Sequence, residues 1–123
     1  MSRLIVKAVS AESTVSASSD GSLYVSVSRA TNGKPVTGLS EKNFRATVEG
    51  EDLIINAFGE SLWSHPGGET TGCYSLGIAF ADTTEKWTKG EHYALGLQVR
   101  TFKGKKATDF GQTVLEMTKF NVS

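Results

Sequence analysis

The stretch Gly33-Lys34-Pro35-Val36-Thr37-Gly38-Leu39, followed closely by Asn43-Phe44, decides the fold class of this chain. It joins two segments in which apolar and polar residues alternate. Its proline stiffens the backbone, and its glycines allow the backbone to bend. Loops with this chemistry connect the strands of β-sheets. The stretch therefore predicts a protein that is built from strands rather than helices.

On both sides of this loop the hydrophobic pattern repeats every two residues. Before it, Leu23, Val25 and Val27 alternate with residues that are more polar. A period of two places alternate side chains on opposite faces of a sheet. The pattern recurs, more or less cleanly, in residues 4–6, 14–18, 44–48, 53–58, 74–80, 93–99 and 113–122. Seven or eight short strands separated by turn residues predict an all-β sandwich of antiparallel strands.

Length and charge limit the classes of protein to which this chain can belong. Its 123 residues predict one domain, residues 1–123, large enough to bury its own core. Thirteen basic residues balance thirteen acidic ones, so there is no broad positive field for nucleic acid. The one cysteine excludes a disulfide within the chain and a zinc cluster of thiolates. We therefore expect a core that is stabilised by packing, with no cofactor.

The apolar segments are short. None approaches the roughly 20 residues that span a bilayer, so membrane insertion is not expected. Near the N-terminus, Lys7 interrupts an apolar run that is too short for the core of an export signal. We expect a soluble protein. The sequence does not decide between a cytoplasmic protein and one that is processed and secreted, and it does not give the oligomeric state.

Five motifs occur in a recognisable order between Ser22 and Phe120. They are Leu23-Tyr24-Val25-Ser26-Val27, the stretch 33–39, Asn43-Phe44, Gly72-Cys73-Tyr74-Ser75-Leu76, and Trp87-Thr88-Lys89-Gly90 leading to Tyr93-Ala94-Leu95. This order resembles bacterial immunoglobulin-like and macroglobulin-type β-sandwich modules. The resemblance implies Greek-key connections and roles in adhesion, spacing or docking. It also implies that Tyr93 is a tyrosine-corner residue, whose buried ring places its hydroxyl on nearby backbone.

Three residues are the candidates for binding a ligand or partner. Trp63 and His65 lie in the longest segment without alternation, and long loops on a rigid sheet often carry recognition. Trp63 either closes the end of the core or presents an anchor to a partner or a sugar ring. The same two roles are open to Trp87, and its nearness to Tyr93 in the sequence favours packing at the end of the core. His65 is either a solvated loop residue or a ligand.

The sequence contains no evident set of nucleophile, base and orienting group, so we expect no enzyme and no catalytic, cofactor or metal residues. The favoured function is a non-catalytic interaction or structural module that acts through loops or sheet edges. The alternative is a carbohydrate-binding module that uses Trp63, Trp87 and Tyr24 as stacking platforms. A third class, a hydrolase or transferase, requires Cys73 and His65 within hydrogen-bond reach. Cys73 is expected to be buried and inert.

Overall fold

The computed structural model describes residues 2–10, 21–62, 70–82, 84, 87 and 91–118. In this part of the chain there are seven strands and one short 3-10 helix. They are β1 (Ser2–Ser10), β2 (Gly21–Arg29), the 3-10 helix (Glu41–Asn43), β3 (Phe44–Val48), β4 (Glu51–Leu62), β5 (Thr70–Phe80), β6 (His92–Lys103) and β7 (Lys106–Thr118). The all-β prediction is confirmed. The weak strand predicted at residues 14–18 lies outside the described residues.

The strands pair in one ring, in the order β1-β2-β5-β4-β3-β6-β7, and β7 returns to β1. β6 returns beside β3, so β6, β3, β4 and β5 are neighbours in the order of a Greek key. The predicted two-sheet sandwich is wrong, and so is the resemblance to immunoglobulin-like and macroglobulin-type modules, because the strands form a single closed barrel. An odd number of strands cannot alternate in direction all the way around a ring. One pair, β1 with β7, is accordingly parallel.

Two short seams close this ring. The β3–β4 seam has only the pairs Thr47↔Asp52 and Val48↔Glu51. The β1–β7 seam has only Ser2↔Asp109 and Arg3↔Phe110. Alternation of apolar residues marks the side chains that face inward, and it is the same for two facing sheets and for one closed sheet. The sandwich prediction failed because each seam that closes the ring has only two residue pairs. Such short pairings do not change the alternation of apolar and polar residues along the strands.

The interior is filled by the inward rows that the period of two predicts. Leu23, Val25 and Val27 on β2 are buried, as are Tyr74, Leu76 and Ile78 on β5. The other fully or nearly buried apolar residues are Leu4, Val6, Val36, Phe44, Ala46, Val48, Leu53, Trp87, Tyr93, Leu95, Leu97, Val99 and Met117. One continuous apolar cluster therefore occupies the barrel.

A buried carboxylate stabilises the β1–β7 seam. Asp109 is 7 % exposed and pairs with Ser2 across the seam. Its Oδ2 accepts hydrogen bonds from Arg29 Nη1 and from Thr101 Oγ1, each at 2.9 Å. Buried charges are tolerated only when they are paired and hydrogen-bonded. Asp109 therefore connects β7 with β2 and β6 close to the place where the ring closes.

The loop of residues 33–39 is held by Tyr74. Its hydroxyl donates to the carbonyl of Val36 at 2.7 Å and accepts from the N–H of Leu39 at 3.3 Å. A tether of the kind that the resemblance assigned to Tyr93 is thus made by Tyr74. Tyr93 packs its ring at right angles to the indole of Trp87, with 4.9 Å between the ring centroids.

Tyr74 should make stability depend on pH in alkaline solution. Burial raises the pKa of its phenol from 10.0 to about 12. The unfolded chain loses this proton near pH 10 and the folded chain keeps it to about pH 12, so the stabilisation is complete below pH 10 and is lost as the pH rises from 10 to 12. We expect the stability advantage of the wild type over Tyr74→Phe, measured by urea unfolding, to be smaller at pH 11 than at pH 9. A stability advantage that is the same at pH 9 and pH 11 would contradict the raised pKa of Tyr74.

Candidate functional site

The three predicted site residues fall in different parts of the structure. Trp63 and His65 lie outside the described residues. Trp87 is 2 % exposed, and its indole packs against the ring of Phe80 with 4.2 Å between centroids. The structure therefore places Trp87 in the core, where its indole offers no open face to a sugar ring or a partner.

The strongest candidate surface is the outer face of four neighbouring strands, β1, β2, β5 and β4. We call it the Tyr24 face. The strand registers align its outward side chains in rows that cross the strands. One row is Val9, Tyr24, Ser75 and Gly59; a second is Lys7, Ser26 and Cys73; a third is Ser22, Gly77 and Ala57. Tyr24 is thus surrounded by small side chains on β2 and β5.

Because its neighbours are small, Tyr24 stands above the sheet. It is 57 % exposed, and a shallow depression lies on each side of its ring. The first depression has a volume of about 220 Å³ and is lined by Lys7, Ala8, Val9, Tyr24, Val25, Ser26 and Cys73. The second has a volume of about 430 Å³ and is lined by Ser22, Tyr24, Ala57, Phe58, Gly59, Ser75, Leu76 and Gly77. The phenol ring is therefore a ridge between two depressions.

The Tyr24 face is apolar at several points and carries few charges. Of the six large hydrophobic side chains that are exposed in the described residues, four lie here: Ile5, Val9, Tyr24 and Ile54. Among the described outward side chains of this face, Arg3 and Lys7 on β1 and Asp52 near the start of β4 bear charge. Ser, Gly and Ala occupy much of the remainder. Exposed strand faces with so few charges are unusual in a protein that has no partner.

Cys73 lies on this face and is exposed, so the prediction of a buried cysteine is wrong. The reason is its position in the alternation. Gly72 and Tyr74 on either side of it are buried, which turns Cys73 outward. Among the residues described, no group of three or more His, Cys, Asp or Glu side chains is arranged to hold a metal ion.

The sequence contained a signal for this surface that its interpretation did not use. The outward positions of β2 and of the second half of β5 are Ser22, Tyr24, Ser26 and Ser28, and Ser75, Gly77 and Ala79. An outward row that faces water usually includes charged residues. Two such rows without charge, one of them containing an aromatic residue, predict a covered or binding surface.

No protein-family model matches the chain, and no curated protein or solved structure shows significant similarity to it. Helices that are long and apolar enough to cross a membrane do not occur among the described residues.

Proposed function

We propose that this chain is a non-catalytic interaction module that binds a protein partner through the Tyr24 face. One observation carries the proposal: four of the six exposed large hydrophobic side chains in the described residues share one face on which charge is sparse. Apolar patches of this kind mark interaction sites, because their burial removes apolar surface from water without desolvating ions.

The size and composition of the face suit a protein partner. Four strands spaced about 4.8 Å apart and about nine residues long cover roughly 20 by 30 Å. This is close to the area that each partner contributes to the smaller specific interfaces. Tyrosine is enriched among residues that dominate binding energy, and serine and glycine adapt to a partner at low entropic cost. Tyr24, between its two depressions, is the expected anchor.

The alanine variant of Tyr24 tests this proposal. Tyr24→Ala should weaken partner binding by about 2 kcal/mol, or roughly 30-fold, since truncating a central aromatic anchor removes a large share of binding energy. The matched control is Val114→Ala, which truncates an exposed apolar residue on β7, outside this face. Both variants should unfold at urea concentrations close to that of the wild type.

Cys73 provides the readout because it is the only cysteine and lies on the face. A small photoreactive diazirine attached to Cys73 should crosslink to a defined protein in an extract of the source cells. The crosslink should disappear in Tyr24→Ala and persist in Val114→Ala. Crosslinking that is equal in both variants, or that yields no defined product, would refute the protein-binding proposal.

A carbohydrate is the second candidate ligand, and the exposed ring of Tyr24 favours it specifically. A ring that is flanked by depressions with serine hydroxyls can stack on a sugar while the hydroxyls bond to it. A glycan array separates the two functions. Binding to a sugar that is lost in Tyr24→Ala, with no protein crosslink from Cys73, would assign the face to carbohydrate.

A further inference from the structure

A β-bulge in β4 places an amide side chain on the Tyr24 face. The pairs Ile55↔Ile78 and Ala57↔Gly77 follow one another in the ladder between β4 and β5. Asn56 is therefore an extra residue in β4, opposite no residue of its own. The alternation is interrupted there, and Asn56 and Ala57 are both exposed. Bulges beside functional sites re-aim a side chain in this way.

The neighbouring strand leaves room for this amide at Gly77. A Cβ atom on Gly77 would lie 2.8 Å from Oδ1 of Asn56 and 3.0 Å from Cβ of Ala57. A larger residue at position 77 would therefore displace the amide. Among the described residues, none forms a hydrogen bond with the carboxamide of Asn56. Its N–H groups and its carbonyl oxygen are open to a ligand.

A floor of small residues separates Asn56 from Tyr24. Ser22, Ser75 and Gly77 belong to it, and they line the depression of about 430 Å³. Gly77 and Tyr24 are diagonal neighbours across β5 and β2, so they lie about 7–8 Å apart. Residues i and i+2 of an extended peptide are about 6.8 Å apart. Three residues of an extended peptide therefore span the distance from the amide to the ring.

The groups around the amide favour a peptide as the ligand. Ile54, two residues before Asn56, is exposed, so the amide lies between an aliphatic side chain and the ring of Tyr24. An extended peptide has apolar side chains at alternate positions, and the N–H and C=O of the residue between them point to the same side. A carboxamide can bond to both groups at once. A sugar would gain little from the aliphatic Ile54.

We infer that Asn56, Tyr24 and Ile54 form one site that recognises an uncharged, extended peptide segment. This inference rests on the proposed function, since it names the part of a protein that the Tyr24 face binds. Asn56 bonds to the N–H and C=O of one residue, and the apolar side chains on either side of that residue pack on Tyr24 and Ile54. The segment lies on the outer face of the sheet and needs no open strand edge. The residues that line the depression carry no charge, which excludes a charged segment.

NMR signals of the side-chain amide test the site directly. The probe is the capped peptide Ser-Leu-Ala-Leu-Ser, and the NH2 signals of Asn56 are identified by their loss in Asn56→Asp. Peptide at about 1 mM should shift these signals. The same peptide with N-methyl-alanine at its centre lacks the N–H and should bind at least about fivefold more weakly. The absence of a shift, equal binding of the methylated peptide, or a shift caused by methyl glucoside alone would overturn the inference.

Three variants separate recognition from folding, with the ring signals of Tyr24 as the measure of peptide affinity. Asn56→Asp retains the shape of the side chain but removes its donor, so it should weaken binding at least about tenfold. Gly77→Ala displaces the end of a flexible side chain, so it should fold and also weaken binding. Gln112→Glu makes the same change of amide to carboxylate on β7 and should bind normally. Equal affinity of Asn56→Asp and Gln112→Glu would refute the site.

Crosslinking from Cys73 distinguishes this inference from the proposed function. A protein that crosslinks equally to the wild type and to Asn56→Asp would leave the proposed function standing and refute the peptide site. The absence of any crosslinked protein, together with a peptide-dependent shift at Asn56, would support the peptide site and refute the proposed protein partner.

Discussion

Gly111→Ala should destabilise the protein by about 3 kcal/mol, because it obstructs closure of the barrel. A Cβ atom at Gly111 would lie 2.5 Å from the carbonyl oxygen of Leu4 and 2.9 Å from its Cβ. The first of these atoms is backbone, and it belongs to the strand that closes the ring, so it cannot move aside without moving β1. Urea unfolding at neutral pH measures the loss.

Gly59→Ala is the control for this prediction. Gly59 also lies in a strand, but a Cβ atom there would have no neighbour within 4 Å. Alanine restricts the unfolded chain more than glycine does, so this variant should be as stable as the wild type or about 0.5–1 kcal/mol more stable. If the two variants unfold at the same urea concentration, β1 and β7 do not approach each other at Gly111 as closely as described.

Trp87→Ala should cost about 3–5 kcal/mol in the free energy of unfolding, since it removes a large side chain from a packed interior. Trp87 is 2 % exposed and contacts the rings of Phe80 and Tyr93. These two residues lie at the end of β5 and near the start of β6. The variant should therefore leave a cavity at one end of the barrel and lower the thermal midpoint.

Trp87→Phe is the matched variant, because it retains an aromatic ring against Phe80 and Tyr93. It should lose clearly less stability than Trp87→Ala. A loss below about 1 kcal/mol in Trp87→Ala would mean that the indole is not packed as described. Binding through the Tyr24 face should survive in Trp87→Phe, which separates a role in packing from a role in recognition.

Much of the secondary structure could be predicted from the sequence, because burial on one face of a strand imposes a period of two. The alternation of Leu23, Val25 and Val27 became the strand β2. β4 and β7 extend beyond the apolar residues that marked them. Their ends depend on pairing with neighbours, which is not visible in a single segment.

The parts that could not be predicted depend on contacts between distant segments. Closure of the ring rests on Gly111 passing close to Leu4, and neither residue by itself indicates a partner. The resemblance gave a tether to nearby backbone to Tyr93 and none to Tyr74, whose hydroxyl bonds to the carbonyl of Val36. The uncharged rows of β2 and β5 can be read from the sequence, but their adjacency follows only from the strand order. Whether Trp63 and His65 bind a ligand stays a prediction.

The parallel pairing of β1 with β7 has a consequence for biosynthesis. Ser2 and Asp109 are roughly a hundred positions apart, so this contact carries a large loop-closure entropy and forms only when both strands have been made. A nascent chain whose β7 is still inside the ribosomal exit tunnel exposes the free edge of β1. Emergence of β7 from the exit tunnel, rather than local strand formation, should therefore set the moment at which this barrel becomes resistant to proteases.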